Sequence, residues 1–189
     1  MTGLICGNCT VLFHAPQSTS QAAKLAAVLQ CSDECSSEQL RINEHSPGVV
    51  ENEEEMVGCI CHPNHTQNGK VHYKFSDAAF AHGMSVTRKV HRPDWKSSVE
   101  HLCRSRVCNR EGKREYHALG SFQAGNVREV LYEDQTRAFY IYDTATANNA
   151  AHADVFSFRY PGNSDALTED ARTDRMTAQM QLVLGVTES

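Results

Sequence analysis

Four cysteines near the start of the chain limit its fold more than any other feature. Cys6-Gly7-Asn8-Cys9 and Cys31-Ser32-Asp33-Glu34-Cys35 give C-x2-C, 21 residues, then C-x3-C. That is close to the ligand spacing of a four-thiolate zinc site. Two short turns, each biting with two thiolates, complete a tetrahedron and leave no open position, so zinc held by Cys6, Cys9, Cys31 and Cys35 is structural rather than catalytic. Gly7 suits the tight backbone of such a turn. The second pair has three intervening residues, and no glycine follows Cys9 or Cys35. Unligated thiols, or a redox pair at Cys6 and Cys9, are the other readings of the same residues.

Ser18, Thr19 and Ser20 are cap candidates for a helix over Gln21 to Gln30, where Ala22, Leu25, Ala26 and Leu29 recur at helical spacing. Val11-Leu12-Phe13 reads as a short strand leaving the first knuckle. A unit this small cannot hold itself together, and metal would fix both of its ends. The expected organisation is a zinc-knuckle-like module over 1–45, an acidic linker over 46–58 and an α+β domain over 59–189. Ser46-Pro47-Gly48 and Glu51 to Glu55 mark the linker.

Within the third segment, strands are expected at Val71–Phe75, Met84–Arg88, Tyr116–Phe122, Ala138–Tyr142 and Val155–Tyr160. Helices are expected at Asp94–Cys108 and Thr168–Leu184, the latter with Met176, Met180 and Leu184 on one face. A short helical turn fits Ala124–Val130. The elements interleave without a β-α-β rhythm, which predicts α+β: a small mixed or antiparallel sheet with flanking helices.

The net charge of −5 is unevenly spread over the 189 residues. Residues 33–55 carry eight carboxylates against Arg41, whereas residues 88–114 carry nine Lys or Arg against Asp94, Glu100 and Glu111. The basic segment is either a solvated helix face or a surface for phosphates, nucleic acid included. No apolar run reaches membrane-spanning length, and no signal-peptide pattern opens the sequence. A cytoplasmic location without membrane contact is expected. There, eight cysteines act as metal ligands or free thiols rather than disulfides.

Two further sets of residues have chemical potential. Cys59-Ile60-Cys61-His62-Pro63-Asn64-His65 packs two thiols and two imidazoles into seven residues. Cys59, Cys61, His62 and His65 form a second metal candidate, and Cys103 and Cys108 are available to complete a site. The C-x-C-H spacing is not that of a standard zinc finger, and metal-free Cys and His are the alternative. His62, His65, Ser76, Ser85, Arg88 and His152 each lie beside an expected strand. Arg88 suits bidentate capture of phosphate or carboxylate. His65 and His152 suit proton transfer. P-loop, dinucleotide, H-E-x-x-H, G-x-S-x-G and zinc-deaminase signatures are all absent from the sequence.

His62-Pro63-Asn64-His65-Thr66-Gln67-Asn68-Gly69, Phe75-Ser76-Asp77-Ala78-Ala79-Phe80, Met84-Ser85-Val86-Thr87-Arg88 and His152-Ala153-Asp154-Val155-Phe156 follow one another in an order that resembles a group of small bacterial proteins of unknown function. The resemblance spans about residues 60–160. It implies a compact α+β domain, brings no reaction with it and does not include the cysteine module. Three functional expectations follow. The first is a zinc-stabilised soluble bacterial binding or accessory protein for a protein partner or a small anionic ligand. The second is an enzyme acting on a nucleotide or RNA phosphate through Arg88 with His65 or His152. The third is a nucleic-acid-binding protein using segment 88–114.

Overall fold

The computed structural model describes residues 6–13, 20–31, 35–41, 44–108 and 113–189. Its strands are β1 (Glu55–His62), β2 (Thr66–Gln67), β3 (Lys70–Val71), β4 (Met84–Arg88), β5 (Glu115–Gln123), β6 (Tyr140–Asp143), β7 (His152–Phe156) and β8 (Thr187–Glu188). Its α-helices are α1 (Gly7–Phe13), α2 (Gln21–Gln30), α3 (Trp95–Leu102), α4 (Ala124–Arg128) and α5 (Glu169–Leu184). Six strands form one antiparallel sheet in the order β6-β7-β4-β1-β5-β8, and β2 and β3 pair separately. The fold is α+β, with helices flanking the sheet.

Side chains alternate across a pleated strand, so the register sorts the sheet into two faces. Met56, Ile60, Met84, Val86, Phe122, Ile141, Ala153 and Val155 share the face that builds the main core. They pack with Phe75, Ala79 and Phe80 of a 3-10 segment (Tyr73–Phe80), with Val127 of α4 and with Ala178 and Leu182 of α5. Gly58 belongs to this face because a Cβ there would lie 2.9 Å from the Phe75 ring. The opposite face carries two smaller cores. Val57 and Leu119 meet Val99 of α3 at one end. At the other, Tyr140, Tyr142, Phe156 and Phe158 meet Leu12, Ala27 and Val28 of the N-terminal helices. The cysteine module therefore lies against the sheet.

Local readings change in several places. Val11–Phe13 is the end of a helix, α1, rather than a strand. Ser20 caps α2 by accepting from the Ala23 amide; the other caps considered, Ser18 and Thr19, lie outside the described residues. The segment read as an acidic linker runs through the body of the fold. Val50, Met56 and Val57 are buried, and β1 begins at Glu55. Its carboxylates misled because Glu54 is neutralised internally, as described below. Of Val71–Phe75 only Val71 is in a strand, and Tyr73 begins the 3-10 segment. In α5 the inward face is Arg175, Ala178, Gln179 and Leu182, whereas Met180 and Leu184 are 54% and 87% exposed. Two polar residues point inward because they find partners. Arg175 donates to the carbonyls of Tyr160 and Gly162, and Gln179 donates to Asp77 at 2.8 Å.

Candidate metal centre and the adjoining cleft

The N-terminal tetrad is assembled by three short devices. Cys6 precedes α1, and the first turn of that helix aims the Cys9 amide at Cys6 Sγ, 3.3 Å away. Cys31 ends α2, its amide donating to the carbonyls of Ala27 and Val28. Cys35 precedes a 3-10 turn over Ser36–Gln39. Asn8 Nδ2 donates to the Gln30 carbonyl at 2.8 Å and ties the two knuckles together.

Cys9 Sγ is 3.8 Å from Cys31 Sγ and 3.4 Å from Cys35 Sγ, and Cys35 Sγ is 3.5 Å from Cys6 Sγ. With Zn–S bonds of about 2.3 Å, a tetrahedron sets its sulfurs about 3.8 Å apart. The four cysteines can hold a metal ion, and an all-sulfur tetrahedral donor set suits zinc. Their electrostatics point the same way. Burial raises the Cys6 thiol, but the Cys9 amide and the surrounding thiols outweigh it and bring Cys6 down to about 7. Cys9 is raised by its bond with Cys31 and by burial, and Cys35 is raised by burial. A cation among these thiols would favour their ionised forms.

Glu38 fastens this module to the sheet. The side chain is buried, and its Oε1 accepts from Arg128 Nε at 3.0 Å, Arg137 Nη2 at 2.6 Å and the Ile141 amide at 2.8 Å. No periodicity in the sequence singled Glu38 out, because one buried carboxylate leaves no pattern.

Arg88 has a different role from the one read in the sequence. It is 1% exposed. Nε donates to Glu54 Oε2, Nη1 to the Gly48 carbonyl and Asp143 Oδ2, and Nη2 to the Val49 carbonyl and Glu54 Oε1. All five N–H donors are thus engaged, and none remains for a phosphate. The second metal candidate is also redrawn. Cys59 and Cys61 meet Cys103 and Cys108 in the disulfides Cys59–Cys103 and Cys61–Cys108, against the expectation of metal ligands or free thiols. The two histidines turn elsewhere. His62 Nδ1 lies 2.7 Å from Thr66 Oγ1, and His65 Nδ1 lies 3.2 Å from both the Cys61 amide and the Cys59 carbonyl oxygen. Burial lowers the pKa of His65 below the ordinary histidine range.

His65 and His152 line one open cleft of about 1730 Å³, together with Lys74, Ser85, Arg106 and Arg114. His152 Nδ1 is 2.8 Å from Thr144 Oγ1, which donates to Asp154 Oδ2 at 2.8 Å; Ser85 donates to Asp154 Oδ1. Ser76 is buried under Gln179. Comparison of the chain with protein-family models, curated proteins and solved structures finds no match.

The basic segment is not one stripe. Arg88 is buried, and Lys89, Arg92 and Arg104 pair with Glu55, Asp94 and Glu100. Arg106 and Arg114 face the cleft; Arg110 lies outside the described residues. No helix among the described residues is long and apolar enough to cross a membrane.

Proposed function

We propose that this chain is a zinc-stabilised binding or accessory protein that works inside the cell and receives a small anionic ligand in its cleft. The observation that carries the reading is the sulfur tetrad, whose spacing of 3.4 to 3.8 Å matches a tetrahedral thiolate shell. Zinc there joins α1 and α2 into a body that covers Tyr140, Tyr142 and Phe158. The cleft supports the second half of the reading, since Lys74, Arg106 and Arg114 line it and nearby cations attract anions. Elemental mass spectrometry on protein purified without added metal or a histidine tag tests the first half. About one zinc per chain, lost when Cys6 and Cys31 become serine, is the expected result. Calorimetric titration with inorganic phosphate and a mononucleotide tests the second. Binding that is lost in Arg106→Glu/Arg114→Glu supports it, and no binding of either probe defeats it.

A second reading, an enzyme acting on a phosphate ester, is favoured by one observation: His65 and His152 line the same cleft. In that case Arg106 or Arg114 anchors the anion in place of Arg88. Turnover of a phosphodiester that is lost in His65→Ala and His152→Ala at unchanged Tm separates the enzyme from the binding module. Binding of a short RNA that weakens steeply with salt would instead point to nucleic acid, through counterion release.

A further inference from the structure

Cys59, Cys61, Cys103 and Cys108 converge on one point although they come from two elements. Cys59 and Cys61 are i and i+2 on β1, which places both on the face that α3 covers. The register against β5 slips between Ile60 and Cys61, the kind of irregularity that re-aims a side chain. Cys103 and Cys108 bracket the π-helical turn that prolongs α3, and the Cys108 amide donates to the Cys103 carbonyl at 2.9 Å. Such wide turns are frequent at functional sites.

Two disulfides need only that each couple meet. Here the couples also meet each other. Cys59 Sγ is 3.9 Å from Cys61 Sγ and 3.4 Å from Cys108 Sγ. These separations match those of the N-terminal tetrad. The sulfurs of Cys59, Cys61 and Cys108 all lie within 4.8 Å of one another, and Cys103 is bonded to one of them. Val57, Val99 and Leu119 close around the group. One coordination sphere explains this crowding; separate cross-links do not require it.

We propose that Cys59, Cys61, Cys103 and Cys108 form a second tetrathiolate zinc site in the reduced chain, and that the two disulfides are its oxidised, metal-free form. The exchange balances with hydrogen peroxide as oxidant. Four Zn–S bonds break and two S–S bonds form. Four electrons pass from the thiolates to two peroxide molecules, which take up four protons and leave as four waters, and one Zn²⁺ is released. Cys59 and Cys103 line the cleft, which gives the oxidant a way in. The N-terminal cysteines are free in the same structure, and the proposed exchange is confined to the second tetrad.

The test uses the full chain, purified under reductant, beside Cys6→Ser/Cys31→Ser and Cys103→Ser/Cys108→Ser. The expected zinc content is two per chain, then one in each double variant. Hydrogen peroxide should release one of the two, and peptide mapping should then find Cys59 joined to Cys103 and Cys61 to Cys108. Should a double variant fail to fold, cobalt(II) loading of the unsubstituted chain decides. Two equivalents with tetrahedral thiolate spectra support the site, and one equivalent overturns it when Cys59, Cys61, Cys103 and Cys108 of the loaded chain alkylate freely. Disulfides that survive purification in reductant overturn it as well. So do four thiols at these positions that alkylate freely beside one bound zinc. A metal lost only in Cys6→Ser/Cys31→Ser removes the second site and leaves the first. A metal lost only in Cys103→Ser/Cys108→Ser upholds the second site and removes the first.

Discussion

Glu54 grips Arg88 with both carboxylate oxygens, Oε2 to Nε at 2.7 Å and Oε1 to Nη2 at 2.5 Å. Asp143 holds the same guanidinium from the far side, 3.1 Å from Nη1. Arg88→Ala would leave the buried Asp143 and the partly buried Glu54 without the cation they share, a loss of about 3–5 kcal/mol. Arg88→Lys should recover little, since an ammonium cannot reproduce the planar fork. Chemical denaturation of the two variants checks both statements.

Acid should weaken the same cluster. Burial raises the Glu54 carboxyl, but the Arg88 hydrogen bonds and charge outweigh it and hold the pKa below the usual glutamate value. The folded state therefore binds the proton less readily than the unfolded chain. The stabilisation is fully present above the unfolded pKa of about 4.3 and is lost as pH falls through the lower folded value. Glu54→Gln should be less stable at neutral pH and show a flatter Tm across that acid range. Parallel acid curves for the two proteins would dismiss the linkage.

Glu38→Ala should cost about 3 kcal/mol, because it strands the buried Ile141 amide and removes one shared partner from Arg128 and Arg137. For a chain of this length that corresponds to a Tm lower by roughly 6–12 °C, readable by calorimetry.

A strong chelator under reductant should strip the N-terminal tetrad and loosen α1 and α2 from the sheet. Tyr140, Tyr142 and Phe158 pack in that contact, so near-ultraviolet dichroism should fall while most far-ultraviolet signal remains. An unchanged near-ultraviolet spectrum after verified metal removal would mean the module stands without metal.

Two positions in α5 separate the face read from sequence from the face in use. Leu182→Ala should destabilise by about 2–5 kcal/mol, since Leu182 is 3% exposed. Met180→Ala should change stability by less than about 0.5 kcal/mol. Equal effects would contradict the packing.

That helix shows where the sequence was readable. Its position follows from local chemistry, and the structure adds a cap, Thr168 Oγ1 accepting from the Ala171 amide. Its orientation depends on Arg175 and Gln179 finding partners distant in sequence, which no periodicity reports. The tetrad was legible because cysteines paired within short turns leave a fixed spacing. Arg88 was misread because a buried arginine and a ligand-binding arginine look alike until Glu54, Asp143 and two carbonyls are found around it. The second cysteine group was half legible. Cys59 and Cys61 stood out as neighbours, but the other half comes from the turn that prolongs α3, more than forty residues further along the chain.

The bond between Glu38 and the Ile141 amide spans 103 residues, and that sets an order of events during synthesis. The tetrad's ligands all fall between residues 6 and 35 and emerge first. The aromatic surface they rest on, from Tyr140 to Phe158, is made late. At ribosomal rates of about 5–20 residues per second the wait is roughly 5–20 s. Throughout it the module has its apolar side in water, and a metal bound by the four cysteines would be what keeps it folded. With zinc as the tetrad's metal, its supply at the moment of translation, more than the final stability of the sheet, would decide how many chains are completed correctly.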